Sequence, residues 1–347
     1  ASGGSGGASG AADVASLARR LLDQLPRPLE SSEAAADVFS GGRPASTSNA
    51  AQSTKASSSS SCSSQAERPS ASAAASSSSQ PAGAATVMAD PLQIVLQHEM
   101  ARFNALLGAV SASLTELVAA AQGLALMSSE LEEAEAALLR GAVPAAWQRA
   151  AYPSLKPLGS WLQDLQMRVA FVRGWLRRGT PRCFVLPALF FPQGLLTGLL
   201  QRHARRHAVA VDSLAFAYAV RPEAEAADVK DDGAVPDDGA LMSGFLLDGA
   251  RWDATRGHLA ESLPKRNLEP LPVVHFLPTE VSADEAAPAL PAPMYECPLY
   301  KTADRAGTLS TTGASTNFIV AVRLPAGDHS PDHWLRMGTA LLCASAD

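Results

Sequence analysis

Cysteine is scarce in this 347-residue chain. Four occur, Cys62, Cys183, Cys297 and Cys343, with no CxxC pair and no regular spacing. That pattern excludes a disulfide framework and a zinc finger, and it suits a reducing, intracellular compartment. A basic excess is also missing. The net charge is −6 and the pI about 5.7, which argues against a protein that grips nucleic acid or anionic lipid. No charged segment leads into an apolar one near the start, so secretion has no support. Ala1 opens a Gly/Ser run and is not expected to be a natural first residue.

Catalytic signatures are absent too. The opening GGSGGASG lacks the GK[ST] ending of a phosphate loop and follows no strand, and no GxGxxG follows a strand elsewhere. There is no GxSxG elbow for a nucleophilic serine. One uncharged run, Cys183 to Leu200, approaches the length of a membrane span, but Pro187, Pro192, Gln193 and two glycines interrupt it. A strand ending near Pro187 and a helix after Pro192 explain those breaks better.

What is present is unevenly spread. Apolar residues make up 47% of the sequence, yet the stretch from Gly41 to Gly83 is mostly Ser and Ala. It holds too little apolar surface to offset conformational entropy, so residues 41–86 are expected to be a disordered insert. Residues 1–40 read as a Gly/Ser linker followed by a short helix from Ala12 to Leu25, with Val14, Leu17, Leu21, Leu22 and Leu25 on one face. Residues 87–180 read as a helical subdomain. Leu96, Met100, Phe103, Leu107, Val110, Leu114, Leu117, Ala121 and Leu124 recur at steps of three and four, predicting a helix from Pro91 to Gly123. Packing within its own domain is favoured over a free coiled coil, because more helices follow at once. One of these starts near Ser128 or Ser129 and closes at Arg140 and Gly141. Another runs from Leu158 to Arg178 with Leu162, Leu165, Val169 and Val172 on one face, and Trp161 and Trp175 adding bulk.

Residues 181–347 turn to short apolar runs divided by Pro, Gly and Asp, the pattern of an antiparallel sheet or small barrel. One helix is expected near 193–206 and an acidic, solvated loop over 222–239. The fold class is therefore α+β, an amphipathic helix bundle followed by an antiparallel β-rich subdomain.

Few constellations point to chemistry. His203 and His207 lie four apart on the expected helix, a metal-ligand spacing, but Ala204 stands where a metalloprotease would have Glu. Arg202, Arg205 and Arg206 would repel a cation, so this segment reads as a basic face or partner-contact patch. Asp328, His329, Asp332 and His333 read as a polar turn between two terminal strands, with no further metal ligand evident. The hydroxyl-rich tract Thr308 to Asn317 reads as a hydrogen-bonded turn. After FLLDGA, Arg251, Trp252 and Asp253 suggest a strand, tight turn and strand, with the Arg and Asp forming an ion pair beside the Trp that pins a corner.

Longer segments carry a family resemblance. Ser128 to Leu165, Phe190 to Phe216, Phe245 to Asp253, Leu263 to Pro278, Cys297 to Phe318 and His333 to Cys343 resemble, in this order, the C-terminal region of dynein heavy chains. Leu17 to Glu30 is similar to the helix that opens that region, and CPLYKTADRAGTLSTTG is similar to the axonemal type. The segments Gly41 to Gly83 and Pro222 to Gly239 depart from the family pattern, as do Pro187, Ala188 and Ala314.

The resemblance implies a helix bundle and an incomplete β-barrel lying on the AAA+ motor ring. It implies no ATP site, metal or cofactor within these 347 residues, with ATP and Mg bound by AAA+ modules upstream. The full heavy chain would be a microtubule-motor ATPase of cilia and flagella, in the cytoplasm and cytoskeleton. Its partners would be the ring, intermediate and light chains and microtubules, with neither nucleic acid nor membrane. The alternative is a free-standing intracellular binding or catalytic protein reusing the fold.

Overall fold

Asp90 begins the longest helix by accepting a hydrogen bond from the Leu92 N–H at 3.1 Å, with Pro91 filling the first turn where no donor is needed. The structure, a computed structural model, describes residues 6–34, 89–221, 235–281, 293–305 and 317–343. The Ser/Ala-rich insert, Cys62 and most of the acidic loop and hydroxyl tract lie outside the described residues.

Helix α1 spans Gly6–Gln24 and α2 spans Pro91–Ala121. α1 starts before the expected Ala12. Burial of Val14, Ala15 and Ala18 secures the following turns, and an established helix extends at one hydrogen bond per added residue. α2 buries Leu96, Met100, Phe103, Leu107, Val110, Leu114 and Leu117 as its periodicity predicts. It stops earlier than that pattern, at Ala121, because Gly123 turns left-handed (φ 72°). Leu124, expected on the stripe, is consequently 78% exposed. α2 is long and apolar enough by composition to cross a bilayer, yet its apolar face is taken up here by α1, α5 and α6.

α3 (Ser129–Leu139) is capped by the Ser128 hydroxyl, which accepts from the Leu131 N–H at 3.3 Å. The six-residue α4 (Ala145–Ala150) brings Trp147 to stack on Trp161 of α5 (Leu158–Arg178), with ring centroids 5.9 Å apart. α5 buries Trp161, Leu162, Leu165, Val169, Val172 and Trp175, the face expected of it.

The uncharged run from Cys183 is divided as its prolines predict. It forms strand β1 (Cys183–Val185), a 3-10 turn at Leu186–Ala188, and helix α6 (Pro192–His207). The remaining strands are β2 (Leu214–Val220), β3 (Ala240–Ser243), β4 (Phe245–Asp248), β5 (Arg251–Asp253), β6 (His258–Ala260), β7 (Leu268–Leu271), β8 (Val274–Glu280), β9 (Met294–Tyr300), β10 (Phe318–Pro325) and β11 (Ala340–Cys343). One sheet has the order β1-β3-β8-β2, a second β10-β9-β11-β4-β7, and β5-β6 forms a separate ribbon. The sheets are open, and the fold is α+β.

Three details differ from the sequence-based expectation. First, β1–β3 and β9–β11 pair in parallel within otherwise antiparallel sheets. Such partners meet through long crossovers that leave no local turn signal. Second, Pro331–Met337 forms a helix, α7, where a polar turn between terminal strands was expected. Pro331 and Asp332 suit its first turn and Gly338 (φ 67°) ends it. Trp334 is its one buried residue, too short a stripe to show periodicity. Third, β4 and β5 follow each other through Gly249 (φ 78°) but do not pair. β4 lies between β11 and β7, and β5 pairs with β6.

Phe276 of β8 joins the two large sheets, with its ring 5.0 Å from Tyr218 and 6.3 Å from Phe245. α6 crosses α2 closely. A Cβ added at Gly198 would stand 2.7 Å from Val95 Cγ2, so glycine sets that approach.

Candidate functional site

The charged face of α6 is engaged by neighbouring segments of the fold. Arg202 Nε lies 3.6 Å from Asp90 Oδ2, and Arg205 Nη1 donates to the Ala89 carbonyl at 2.8 Å. Arg206 donates to the Asp237 carbonyl and its Nη1 stands 3.7 Å from Asp238 Oδ1. The three arginines therefore brace the entry to α2 and the segment before β3. Sequence spacing could not name these partners, since Asp238 is more than thirty residues away.

Asp238 also meets the histidine pair. His203 Nδ1 and His207 Nε2 lie 3.2 and 3.1 Å from its Oδ1. Burial alone would raise the Asp238 carboxyl; the hydrogen bonds from His207 and His203 reverse that and hold it below the usual carboxylate range.

The Arg251–Trp252–Asp253 strand carries the expected ion pair, though as a long one. Arg251 Nη1 stands 4.0 Å from Asp253 Oδ2, beyond hydrogen-bond distance. Asp253 instead accepts from the Arg256 and Thr255 N–H groups at 3.1 and 3.0 Å, and these hold its carboxyl below the usual range. It thus forms the turn that leads β5 into β6. Trp252 packs its ring against the main core.

Three polar anchors, two of them buried and one half-buried, escaped the sequence reading. Glu99, 1% exposed, sits on the apolar face of α2 and accepts from the Phe190 and Phe191 N–H groups at 2.5 and 2.9 Å. It so caps the start of α6, where Phe191 offers no side-chain cap of its own. Burial raises the Glu99 carboxyl above its ordinary value, outweighing those N–H groups and the nearby Arg102 and Lys301. A single acid amid the Leu96–Met100–Phe103 stripe was the available signal.

The second anchor is Asp164. It takes Arg168 Nε at 2.6 Å and Lys156 Nζ at 3.1 Å. Burial pushes its carboxyl up, but the Arg168 guanidinium, with both hydrogen bonds, holds it below the usual range. Arg168 also lies over the Tyr152 ring at 3.8 Å and donates to the Leu189 carbonyl, tying α5 to the turn before α6. The third is Lys301, whose ammonium burial pulls down to about 8.

A groove of about 720 Å³ runs along this seam, lined by Tyr152, Lys156, Trp161, Thr302, Asp304 and Asn317. Asn317, the described end of the hydroxyl tract, accepts from the Thr302 N–H at 2.8 Å and ties the segment after β9 to the start of β10. Among the described residues two clusters could hold a metal ion, His203–His207–Asp238 and Glu261–His329–His333. The structure thus supplies the third ligand that the second cluster lacked on sequence grounds.

Helices seated on open mixed sheets, with their charged groups spent on internal ties, define a two-part α+β packing module. Residues 1–343 match the C-terminal domain of the dynein heavy chain. Over 269 residues the sequence is 44% identical to human (Homo sapiens) dynein axonemal heavy chain 6, covering 73% of this chain and 6% of that protein. It is 40% identical over 257 residues to dynein axonemal heavy chain 3 of Mus musculus, covering 74% and 6%. With human dynein axonemal heavy chain 12 the identity is 41% over 258 residues, covering 74% and 8%. The protein belongs to the family of C-terminal domains of dynein heavy chains, and these relatives are axonemal. It spans less than a tenth of their length.

Proposed function

We propose that this protein is the non-catalytic C-terminal module of an axonemal dynein heavy chain, which packs on the AAA+ motor ring and tunes ATP-driven, minus-end-directed motility. ATP and Mg would bind in AAA+ modules elsewhere in the heavy chain. Microtubules and the intermediate and light chains would be reached through the whole complex, in the axoneme of a cilium or flagellum.

The observation that carries this reading is how the two halves are joined. Glu99 couples α2 to α6, Arg168 couples α5 to the same turn, and Gln193 of α6 donates to the Phe318 carbonyl of β10 at 2.8 Å. A module tied this way transmits force as one body instead of bending at its seam. The α2–α3 connection adds a surface for a ring, since Leu124 and Leu126 stand largely exposed beside Met127.

The test removes residues 91–347 from a full heavy chain and measures microtubule gliding speed, stall force and the coupling of ATPase rate to microtubules. The expected result is altered force or run length with ATP hydrolysis retained. Unchanged gliding, force and coupling would sink the proposal.

A further inference from the structure

The second histidine cluster carries more than a polar turn. Glu261 follows β6, His329 precedes α7, and His333 lies in the first turn of that helix. The two imidazole rings are almost parallel, 13° apart with centroids at 4.1 Å. Both direct Nε2 to one carboxylate oxygen, Glu261 Oε1, at 3.7 Å from His329 and 3.5 Å from His333. These separations are too long for good hydrogen bonds. They are close to the edge of a tetrahedron around an ion held at 2.0–2.1 Å, which is roughly 3.3–3.4 Å. His333 Nε2 is shielded from solvent yet has no hydrogen-bond partner among the described residues.

The support behind the ligands is rigid. Trp334 is fully buried, donates its indole N–H to the Ala326 carbonyl at 2.9 Å, and meets both imidazoles edge-on at 5.4 and 4.9 Å. Trp334 thus keeps both imidazoles beside Glu261, and rotation of the rings about their Cβ–Cγ bonds turns the two Nε2 lone pairs onto one ion. The nearby Arg256 is engaged by Asp328 at 2.8 Å, so its charge is offset.

The other cluster lacks these features. Its nitrogens lie at ordinary hydrogen-bond distance from Asp238, and Arg206 stands 3.7 Å from the same oxygen, where it would oppose a cation.

We infer that Glu261, His329 and His333 form a binding site for a divalent transition-metal ion, with zinc the best fit to a two-imidazole, one-carboxylate set with a fourth position open to water. The ion clips the β5–β6 ribbon to α7, across the junction that the Arg256–Asp328 pair already bridges. This departs from the sequence-based expectation of a metal-free protein.

The test titrates zinc chloride against the 347-residue protein in competition with a chromophoric chelator, then repeats it on variants. One equivalent of zinc should bind, and cobalt(II) should give the intense visible bands of a tetrahedral site. Glu261→Gln and His329→Ala should each weaken binding by roughly tenfold or more. The paired change His203→Ala with His207→Ala should leave it intact. Glu261 is 63% exposed, so its variant should keep the parent near-ultraviolet circular dichroism, separating ligand loss from misfolding. Absence of zinc binding, full affinity in Glu261→Gln, or loss confined to the His203/His207 variant would each overturn the assignment.

Discussion

Replacing Glu99 tests how the two halves are held together. Its carboxylate satisfies two N–H groups at the start of α6, at 2.5 and 2.9 Å, in a position sealed from water. Glu99→Ala strands both donors, at roughly 1–3 kcal/mol each, and leaves a small void. Removing a buried acid also relieves its desolvation, which offsets part of that loss, so the expected net destabilisation is about 3–4 kcal/mol. Glu99→Gln keeps one acceptor but turns an NH₂ toward the second N–H. Its expected cost is about 1–3 kcal/mol.

The sign of the pH dependence follows from the raised carboxyl. The folded form holds the proton more tightly than the unfolded one, whose value is near 4.5. Stability from this group is fully present below 4.5 and is lost as pH rises through the higher folded value. The parent should therefore lose a component of stability over that window that Glu99→Gln does not show. Urea unfolding followed by tryptophan fluorescence, from about pH 4 to 8, measures both effects. A Glu99→Ala variant within about 0.5 kcal/mol of the parent would refute the reasoning, because surface-like behaviour means neither N–H depends on Glu99.

Asp164→Asn should cost about 3–5 kcal/mol, since it breaks a buried pair and leaves Arg168 uncompensated. Because the folded Asp164 carboxyl lies below its ordinary value of 3.8, the stability it adds is present above that pH and lost as pH falls through the folded value. Acid unfolding monitored by circular dichroism checks this, and Asp164→Asn should lack that acid-side step. Asn104→Ala removes two 2.8 Å bonds to the Leu29 backbone that dock the α1 segment on α2, at about 1 kcal/mol each. Limited proteolysis should then cut between α1 and residue 34 faster than in the parent, and unchanged cleavage would count against the docking role.

The long helices were legible because their signal is local. Steps of three and four put Leu96 to Leu117 on one face of α2, and Ser128 with the following acids marked the start of α3. α7 was not legible, because a seven-residue helix with one buried side chain has no period to read. The parallel pairings β1–β3 and β9–β11 were equally hidden, since each joins strands separated by tens of residues.

The candidate residues divide in the same way. Family membership was readable from ordered segments, and the basic run on α6 from its residue types. Which groups those side chains meet was not. Arg206 and the His203–His207 pair meet Asp237 and Asp238 only where the segment before β3 comes against α6, and Glu261 reaches His329 and His333 across some seventy residues. Four scattered cysteines and a net acid balance argued by themselves against a disulfide framework and against a protein that grips nucleic acid. Contact between distant polar atoms depends on how loops close and sheets pack, and that geometry is set by the whole core at once. Tertiary structure alone therefore decided that one acid in the α2 stripe caps another helix, and that two histidines and a distant glutamate face one point.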